Sequence, residues 1–319
     1  MDRNLALEFV RVTEAAAIAA SEWIGRGERQ AADLAAVKAM RSRFNQIDFT
    51  GRVVIGEGKK DESAFISTEE NLGKGGGEAP VLDIAVDPLE CTNSVAYGRY
   101  NAMTVVASGE KGSLVAGPDT YMEKIAAGPG AKDAIDLEQS AQENIKRAAK
   151  ALGRDVREMT VIILDRPRHA GIIADIRKVG ARVRLISDGD VAAAIAPSLM
   201  DPEADLLMGT GSSAEGVLAA VAVKILGGEM YCRFKPRNEK DKRDLDVLGI
   251  DPKKIFSTSD LARGKNLTFT ATGVIDGPLL QGVRFSNRYI LTHSMVIRGA
   301  SRTVRYITTY HHQNELKRS

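Results

Sequence analysis

The sequence predicts a mixed α/β (α+β) protein with a mixed-sheet N-terminal half and a βαβ C-terminal half. In the first half, apolar residues recur at helical spacing and then give way to short alternating runs that indicate strands. In the second half, strands at 160–164, 182–186 and 205–208 alternate with helical stretches, which is typical of a parallel sheet. We therefore expect two domains, residues 1–155 and residues 156–319.

Composition narrows the class of protein. The chain has 319 residues, and its 44 Lys and Arg residues balance 42 Asp and Glu residues, so there is no basic field of the kind that binds nucleic acid. Its 2 cysteines, Cys91 and Cys232, are too few for a disulfide framework. No apolar run is long enough to cross a membrane, and charged residues interrupt the first apolar stretch where a signal peptide would need continuity. We expect a cytoplasmic protein that binds neither nucleic acid nor membrane.

The chain opens with two predicted helices. Apolar residues between Leu5 and Trp23 follow one helical face, and the glycines of 25–27 end that helix. A second helix runs to Phe44, and Asp33 lies one turn before Val37 on its apolar face. A carboxylate thus begins a buried stripe.

The first two predicted strands each lead to an acidic residue. Residues 52–55 form a short strand that ends at Glu57 between two glycines. Residues 81–87 form a second strand, in which a period of two puts Asp83 and Asp87 on one face, and we expect Pro88 to end it. Both strands would deliver a carboxylate to a strand end.

Further elements follow from the same signals. Residues 102–108 and 113–116 read as strands joined by a glycine-containing hairpin, and strands recur near the C terminus at 267–271, 289–297 and 303–310. The mixed charges of 235–244 are typical of a solvated face.

The segment around Asp87 is the first candidate site. Asp87 ends a strand, Glu90 follows three residues later, and both carboxylates can face one ion. Hard cations such as Mg²⁺ and Mn²⁺ prefer carboxylate oxygens and leave sites open for phosphate. Thr92 starts a predicted helix, whose N–H groups attract anions. The alternative is that Asp87 caps a strand and Glu90 is a surface acid, but Asp33 and Glu57 then need separate explanations.

A second candidate site lies at the end of the strand 160–164. Arg166-Pro167-Arg168 offers two guanidinium groups, which match phosphate bidentately. An ordinary basic loop is the alternative. A Gly-x-Gly pattern at 209–211 lacks the third glycine that a dinucleotide fingerprint requires.

These motifs resemble those of the class II fructose-1,6-bisphosphatases, within the lithium-sensitive, inositol-monophosphatase-like phosphatases. The resemblance covers nearly the whole chain. Its motifs are Gly25-Arg26-Gly27 with Ala32-Asp33, Val54-Ile55-Gly56-Glu57-Gly58, Leu82-Asp83-Ile84-Ala85-Val86-Asp87-Pro88 with Glu90, and Pro118-Asp119-Thr120-Tyr121-Met122-Glu123-Lys124.

The resemblance implies a layered αβαβα sugar-phosphatase fold, with a metal-binding N-terminal domain and a substrate-binding C-terminal domain that completes the site. It implies that Asp33 and Glu57 hold one Mn²⁺ or Mg²⁺ ion, that Asp87, Glu90 and Glu215 hold another, and that Thr92, Glu57 and Asp87 are catalytic. The implied substrate contacts are Glu90, Cys91, Thr92, Tyr121, Arg166, Pro167, Arg168, Asp188, Gly189, Asp190 and Ser212.

The chain departs from the family pattern at four places. Cys91 and Ser212 replace glycines, Arg29 replaces a lysine, and Lys59-Lys60 replaces an acidic and apolar pair. The five implied metal ligands are retained. The thiol of Cys91 is either a reactive group beside the phosphate site or an inert side chain in the core.

The expected function is removal of the 1-phosphate of fructose 1,6-bisphosphate, and by extension of sedoheptulose 1,7-bisphosphate, in gluconeogenesis and carbohydrate metabolism. Thr92 would orient the attacking water, the arginines would hold the retained phosphate, and Asp188 and Asp190 would accept from sugar hydroxyls. Two alternatives stay open: an inositol or nucleotide monophosphatase, and a non-catalytic sugar-phosphate-binding regulatory homologue. We expect a homo-oligomer, either a dimer or a tetramer.

Overall fold

The chain folds into two compact units. The computed structural model describes residues 5–56, 65–77 and 79–312. Contacts group Met1–Leu114 with Gly264–Ser319 as unit 1 and set Val115–Arg263 apart as unit 2. Each unit contains one sheet with both parallel and antiparallel strand pairs, so the predicted mixed α/β class is confirmed. In the part of the chain that the structure describes, no helix is long and apolar enough to span a membrane.

The N-terminal segment of unit 1 combines helices and strands. Its elements are α1 (Leu5–Ser21), α2 (Arg29–Phe44), β1 (Thr50–Ile55), β2 (Asn71–Leu72), β3 (Val81–Glu90), α3 (Thr92–Tyr97) and β4 (Ala102–Glu110).

Unit 2 alternates strands and helices over most of its length. Its elements are β5 (Tyr121–Ala127), α4 (Ala141–Leu152), β6 (Thr160–Leu164), α5 (Ala170–Lys178), β7 (Arg182–Ile186), α6 (Val191–Ile195), β8 (Leu206–Ser212), α7 (Ser213–Leu226), β9 (Glu229–Lys235), α8 (Glu239–Val247), β10 (Ile255–Phe256) and α9 (Thr258–Leu261). The chain then returns to unit 1 with β11 (Thr268–Ile275), β12 (Arg284–Phe285), β13 (Tyr289–Arg298) and β14 (Thr303–His312).

The sheet of unit 1 runs in the order β12-β13-β11-β4-β3-β1-β2, and β14 pairs with β13. The β1 and β3 strands are parallel, whereas β4 and β11 join the sheet antiparallel. Phe9, Phe44 and Phe49 pack with ring centroids 5.4 to 5.9 Å apart. These rings anchor α1 and α2 in the core of the unit.

The sheet of unit 2 runs in the order β10-β9-β5-β8-β6-β7. The strands β6, β7 and β8 are parallel, which confirms the predicted βαβ pattern. The antiparallel strands β5 and β9 extend the sheet. Apolar residues of α4 and α5 form one core with β6 and β8, and α7 is buried from Gly216 to Val223.

Strand β3 differs from its prediction because it continues through Pro88 to Glu90. Its pairing with β4 shifts register between Asp87 and Glu90, and such a bulge accommodates a proline that cannot donate to the ladder. Every residue from Leu82 to Glu90 is buried, so the side chains of β3 do not alternate between a solvent-exposed face and a buried face. The Asp83 carboxylate is structural, since it accepts a hydrogen bond from Leu114 N at 3.1 Å.

One further expectation needs correction. Residues 113–116 form no strand, and the segment after β4 is irregular. Strand β11 pairs with β4 in unit 1, and β5 and α4 lie in unit 2, so the compact units have other bounds than residues 1–155 and 156–319. The division into a metal-binding domain of residues 1–155 and a substrate-binding domain of residues 156–319 stays a prediction.

Candidate active site

Two buried carboxylates lie at the C-terminal end of strand β3. Asp87 is 9% exposed and Glu90 is 1% exposed. Leu89 N–H donates to Asp87 Oδ1 at 3.1 Å, across the bulge that carries Pro88. Burying two carboxylates within four positions costs free energy unless cations or donors compensate their charge. The end of β3 is therefore suited to hold positive charge.

Asp33 presents a similar oxygen on helix α2. Its Oδ1 is buried and has no hydrogen-bond partner among residues 5–56, 65–77 and 79–312. Burial raises the pKa of this carboxyl to about 6, although the charge of Arg29 acts in the opposite direction. A buried acceptor that lacks a donor fits a metal ligand, and oxygen donors suit Mg²⁺ or Mn²⁺.

The described side chains do not by themselves assemble a complete metal cage. Within the described ranges, no group of three or more His, Cys, Asp and Glu side chains is arranged to hold an ion. Glu57 and Lys59-Lys60 lie outside those ranges. The ligand set Asp33, Glu57, Asp87, Glu90 and Glu215 therefore stays a prediction.

Cys91 and Thr92 connect β3 to the short helix α3. Cys91 has φ 68° and ψ 46°, in the left-handed region that favours glycine. Its side chain is 6% exposed and packs in the core of unit 1, with Asn101 Nδ2 3.7 Å from its Sγ. This burial favours the inert alternative for the thiol.

The hydroxyl of Thr92 has a defined direction. Thr92 Oγ1 donates to the Leu89 carbonyl oxygen at 3.0 Å, which leaves its lone pairs able to accept a hydrogen bond. Helix α3 has only 6 residues, so a strong helix-terminus field is not expected here. Thr92 is better suited to orient a donor such as water than to bind an anion.

In unit 2, Arg168 lies over the ring of Tyr121. The Cζ of Arg168 is 4.7 Å from the ring centroid, and its Nε and Nη2 donate to the Thr210 carbonyl oxygen at 3.1 and 2.7 Å. A cavity of about 180 Å³ lies beside this arginine, and its lining includes Lys235 and Asn144. The structure thus brings together two of the predicted substrate contacts, next to space for a polar group.

Arg166 has different partners from Arg168. Its Nη1 donates to the Asp165 carbonyl oxygen at 3.0 Å, and its Nη2 donates to Asp188 Oδ1 at 3.3 Å. Pro167 begins a single 3₁₀ turn, which follows Arg166 and contains Arg168. Arg166 therefore pairs with a predicted sugar-binding residue, whereas Arg168 donates to the Thr210 carbonyl oxygen.

His169 fixes the loop that carries these arginines. Thr210 N–H donates to His169 Nε2 at 2.8 Å, and the Leu164 carbonyl oxygen lies 2.7 Å from Nδ1. The ring is therefore neutral, with its proton on Nδ1. Burial lowers its pKa below the usual value of 6.5.

Asp190 forms a buried ion pair with Lys124, a residue outside the predicted site. Lys124 Nζ donates to both carboxylate oxygens of Asp190, at 2.6 and 2.8 Å, and lies 3.7 Å from Glu215 Oε2. Burial alone would lower the pKa of Lys124, but the two carboxylates outweigh it and raise the pKa. The position of Lys124 between Met122 and Ala126, on an apolar face of β5, is the sequence signal from which a buried lysine could have been predicted.

Glu215 and Ser212 also build the start of α7. Ser212 Oγ accepts from Ala214 N at 3.2 Å, and Ser212 N–H donates to Glu215 Oε2 at 3.3 Å, which forms a capping box. An added Cβ at Gly211 would lie 2.1 Å from Asp190 Oδ2, so the backbone approaches that carboxylate closely. Gly189, with φ 60°, lies in the turn that leads to Asp190.

The charged run 235–244 is only partly a solvated face. Lys240 and Lys242 pair with exposed acids, as expected. Asp241, however, is 1% exposed and accepts from Thr120 Oγ1 at 2.7 Å and from Arg237 Nε at 2.7 Å. The expectation fails at Asp241 because α8 buries Asp241 and Leu245, and Asp241 meets Thr120 directly before β5.

Comparisons with known proteins agree with the resemblance in the sequence. A family model described as bacterial fructose-1,6-bisphosphatase, glpX-encoded, matches residues 3–311. The chain is 43% identical over 325 residues to fructose-1,6-bisphosphatase 1 class 2 of Escherichia coli strain K12, covering 98% of this chain and 96% of that protein. It is also 43% identical over 330 residues to fructose-1,6-bisphosphatase class 2 of Haemophilus influenzae, covering 99% and 98% respectively.

Proposed function

The chain belongs to the family of bacterial, glpX-encoded fructose-1,6-bisphosphatases, and from this premise we propose that it hydrolyses the 1-phosphate of fructose 1,6-bisphosphate. The products are fructose 6-phosphate and phosphate, and the reaction serves gluconeogenesis. The observation that carries the proposal is the pair of buried acids at the end of β3, in a chain that matches the family over nearly its whole length.

The proposal assigns a metal requirement to the carboxylates. Divalent ions, Mn²⁺ or Mg²⁺, supply positive charge that stabilises the transferring phosphoryl group. The residues that would hold them are Asp33, Glu57, Asp87, Glu90 and Glu215. The buried Oδ1 of Asp33 and the buried acids of β3 support this assignment.

The remaining residues act on substrate and water. Thr92 Oγ1, whose proton is donated to the Leu89 carbonyl, accepts a hydrogen bond from the attacking water and orients it. Glu57 and Asp87 complete the predicted catalytic set. Arg168 and Tyr121 hold the phosphate that stays on the sugar.

One of the predicted substrate contacts, Asp190, takes a modified role. Both oxygens of Asp190 are engaged by Lys124, so we propose that Asp190 positions the neighbouring backbone instead of accepting from a sugar hydroxyl. Asp188 remains a candidate acceptor for a sugar hydroxyl, although it also holds Arg166.

A phosphate-release assay tests the function directly. We expect turnover of fructose 1,6-bisphosphate in Mn²⁺ or Mg²⁺, weaker turnover of inositol and nucleotide monophosphates, and none in excess chelator. Faster release from a monophosphate would support the inositol or nucleotide monophosphatase alternative. Binding of the bisphosphate without phosphate release would support the regulatory alternative.

Three finer assignments accompany the function. We propose activity on sedoheptulose 1,7-bisphosphate, because the same recognition of two phosphate ends applies. We also propose a cytoplasmic location and a homo-oligomer, either a dimer or a tetramer. Sedimentation of the purified protein measures the oligomer, and a monomer at micromolar concentration would refute that part.

A further inference from the structure

Two guanidinium groups share the ring of Tyr121 in unit 2. The Cζ of Arg168 lies 4.7 Å from the ring centroid, and the Cζ of Arg237 lies 5.3 Å from it. Each contact is a favourable cation–π interaction. The two Cζ atoms are consequently at most about 10 Å apart, and two positive charges at this range repel each other to the extent that anions nearby do not compensate them.

Arg237 is held in place by a buried acid. Its Nε donates to Asp241 Oδ2 at 2.7 Å, and its Nη2 donates to the Asp119 carbonyl oxygen at 2.6 Å. Asp241 also accepts from Thr120 Oγ1, and the hydrogen bonds from Arg237 hold the pKa of Asp241 well below its usual range. The acid therefore stays charged and keeps the arginine oriented.

Both arginines keep a donor group for a ligand. Arg168 uses Nε and Nη2 on Thr210, and Arg237 uses Nε and Nη2 on Asp241 and Asp119. In the part of the chain that the structure describes, neither Nη1 group makes a hydrogen bond. Arg166, in contrast, uses Nη1 on the Asp165 carbonyl oxygen.

We propose that Arg237 is a second phosphate-binding residue beside Arg168 and Tyr121, selective for the phosphate that the reaction leaves on the sugar, and that Asp241 positions it. A phosphate that accepts hydrogen bonds of about 2.8 Å on two sides can join guanidinium groups whose Cζ atoms are up to about 10 Å apart, which is the upper bound set by their contacts with Tyr121. The dianion also relieves their mutual repulsion. This inference rests on the proposed function, because the retained phosphate belongs to the sugar bisphosphate.

Binding of fructose 6-phosphate isolates this phosphate from the hydrolytic step. Calorimetric titration of the whole protein with fructose 6-phosphate should show affinity lower by about tenfold to a hundredfold in Arg237→Gln, the loss expected for charge-assisted hydrogen bonds. Arg237→Lys should recover part of the affinity, since it restores charge without the planar fork. Arg233→Gln is the matched control, because Arg233 is on β9 and pairs with Glu123 and Glu138.

Steady-state kinetics provide a second readout. Arg237→Gln should raise KM for fructose 1,6-bisphosphate by a similar factor and change kcat/KM for fructose 1-phosphate by less than about threefold, because that substrate lacks the retained phosphate. Asp241→Asn should weaken fructose 6-phosphate binding less than Arg237→Gln does, since Asn can still accept from Arg237.

Loss of Arg237 leaves the Asp241 carboxylate buried without its cation, and this could unfold the variant. The double variant Arg237→Gln with Asp241→Asn removes that charge, and Thr120 can still donate to the Asn side chain. The melting temperature of this double variant should be close to that of the parent. Its affinity for fructose 6-phosphate should fall by the same factor as in Arg237→Gln.

The outcomes separate the inference from the function. Parent-like fructose 6-phosphate affinity in a folded Arg237 variant overturns the inference, as does an equal loss in Arg233→Gln or no binding by the parent. If the parent releases no phosphate but the Arg237 variants lose affinity, the proposed function fails and the phosphate site stands.

Discussion

Lys124 Nζ lies 2.6 and 2.8 Å from the two carboxylate oxygens of Asp190, and both side chains are buried. The two residues belong to β5 and to the turn before α6. An ion pair without water access is costly to break, because removing one partner leaves the other charge uncompensated. This pair therefore joins two segments of unit 2 that are 66 positions apart in the sequence.

Lys124→Met should lower the free energy of unfolding by about 3 to 5 kcal/mol, since Asp190 is left buried and unpaired. Urea denaturation followed by circular dichroism measures the change. The exposed pair of Lys240 and Asp244 supplies the control: Lys240→Met should cost less than about 1 kcal/mol. Similar losses in the two variants would mean that the buried pair has no special role.

His169 should make stability depend on pH. Its folded pKa lies below 6.5 because of burial, and the charges of Arg168, Asp190 and Arg166 also face the ring. The folded state therefore binds the proton less readily than the unfolded state does. The stability that His169 contributes is complete above pH 6.5 and is lost as the pH falls from 6.5 towards the folded pKa.

The comparison variant is His169→Gln, which keeps a donor and an acceptor but does not titrate. Between pH 7 and 5.5, its free energy of unfolding should fall less steeply than that of the parent. If the free energies of unfolding of the parent and of His169→Gln fall in parallel with pH, the pH dependence comes from other groups, such as His311, whose pKa is also lowered by burial.

Asp87→Asn should reduce kcat/KM by at least about a hundredfold, because a proposed metal carboxylate is lost without a change of volume. The unfolding free energy should not decrease, since a buried charge disappears. Asp48→Asn, at an exposed pair with Lys74, is the control in the same unit. Turnover close to that of the parent would mean that Asp87 only accepts the hydrogen bond within the β3 bulge and does not hold a metal ion.

Arg168→Ala should weaken the binding of fructose 1,6-bisphosphate more than the binding of fructose 1-phosphate, because only the bisphosphate carries the phosphate that the reaction retains. The expected increase in KM for the bisphosphate is about tenfold to a hundredfold. Equal losses on both substrates would indicate that the hydrogen bonds of Arg168 to Thr210 are its main contribution.

Cys91→Gly should be tolerated. Glycine removes about 1 kcal/mol of left-handed strain, and this offsets the lost burial of the side chain, so stability should stay within about 1 kcal/mol of the parent. Cys91→Val should be destabilising by roughly 1 to 3 kcal/mol, because a branched side chain fits this conformation poorly. Urea denaturation of the two variants gives both values.

The same geometry predicts a protected thiol. Cys91 is buried, and burial raises the pKa of Cys232 to about 12, so neither thiol should react quickly in the folded protein. Titration with a thiol reagent should show slow modification that accelerates in urea. Fast inhibition that Cys91→Gly abolishes would restore the reactive-thiol alternative.

The sequence by itself determined the mixed α/β class, the order of most elements and the family. Helical spacing around Asp33, the strand that carries Asp87 and the glycines at turns are local patterns, and local patterns report secondary structure. The motifs that carry the resemblance to the family are also short, contiguous segments. Local periodicity failed at 113–116, which form no strand, and at β3, where burial on both faces and a bulge let the strand continue through Pro88.

Only the tertiary structure decided which distant residues meet. Pairing of Thr268 with Ser108 puts the C-terminal strands in unit 1, and the Lys124 to Asp190 pair and the Thr120 to Asp241 hydrogen bond join segments far apart in unit 2. Such partners follow from strand order and from the burial of charge, which requires a counter-charge wherever the fold provides one. A residue's own neighbours in the sequence carry no information about that choice.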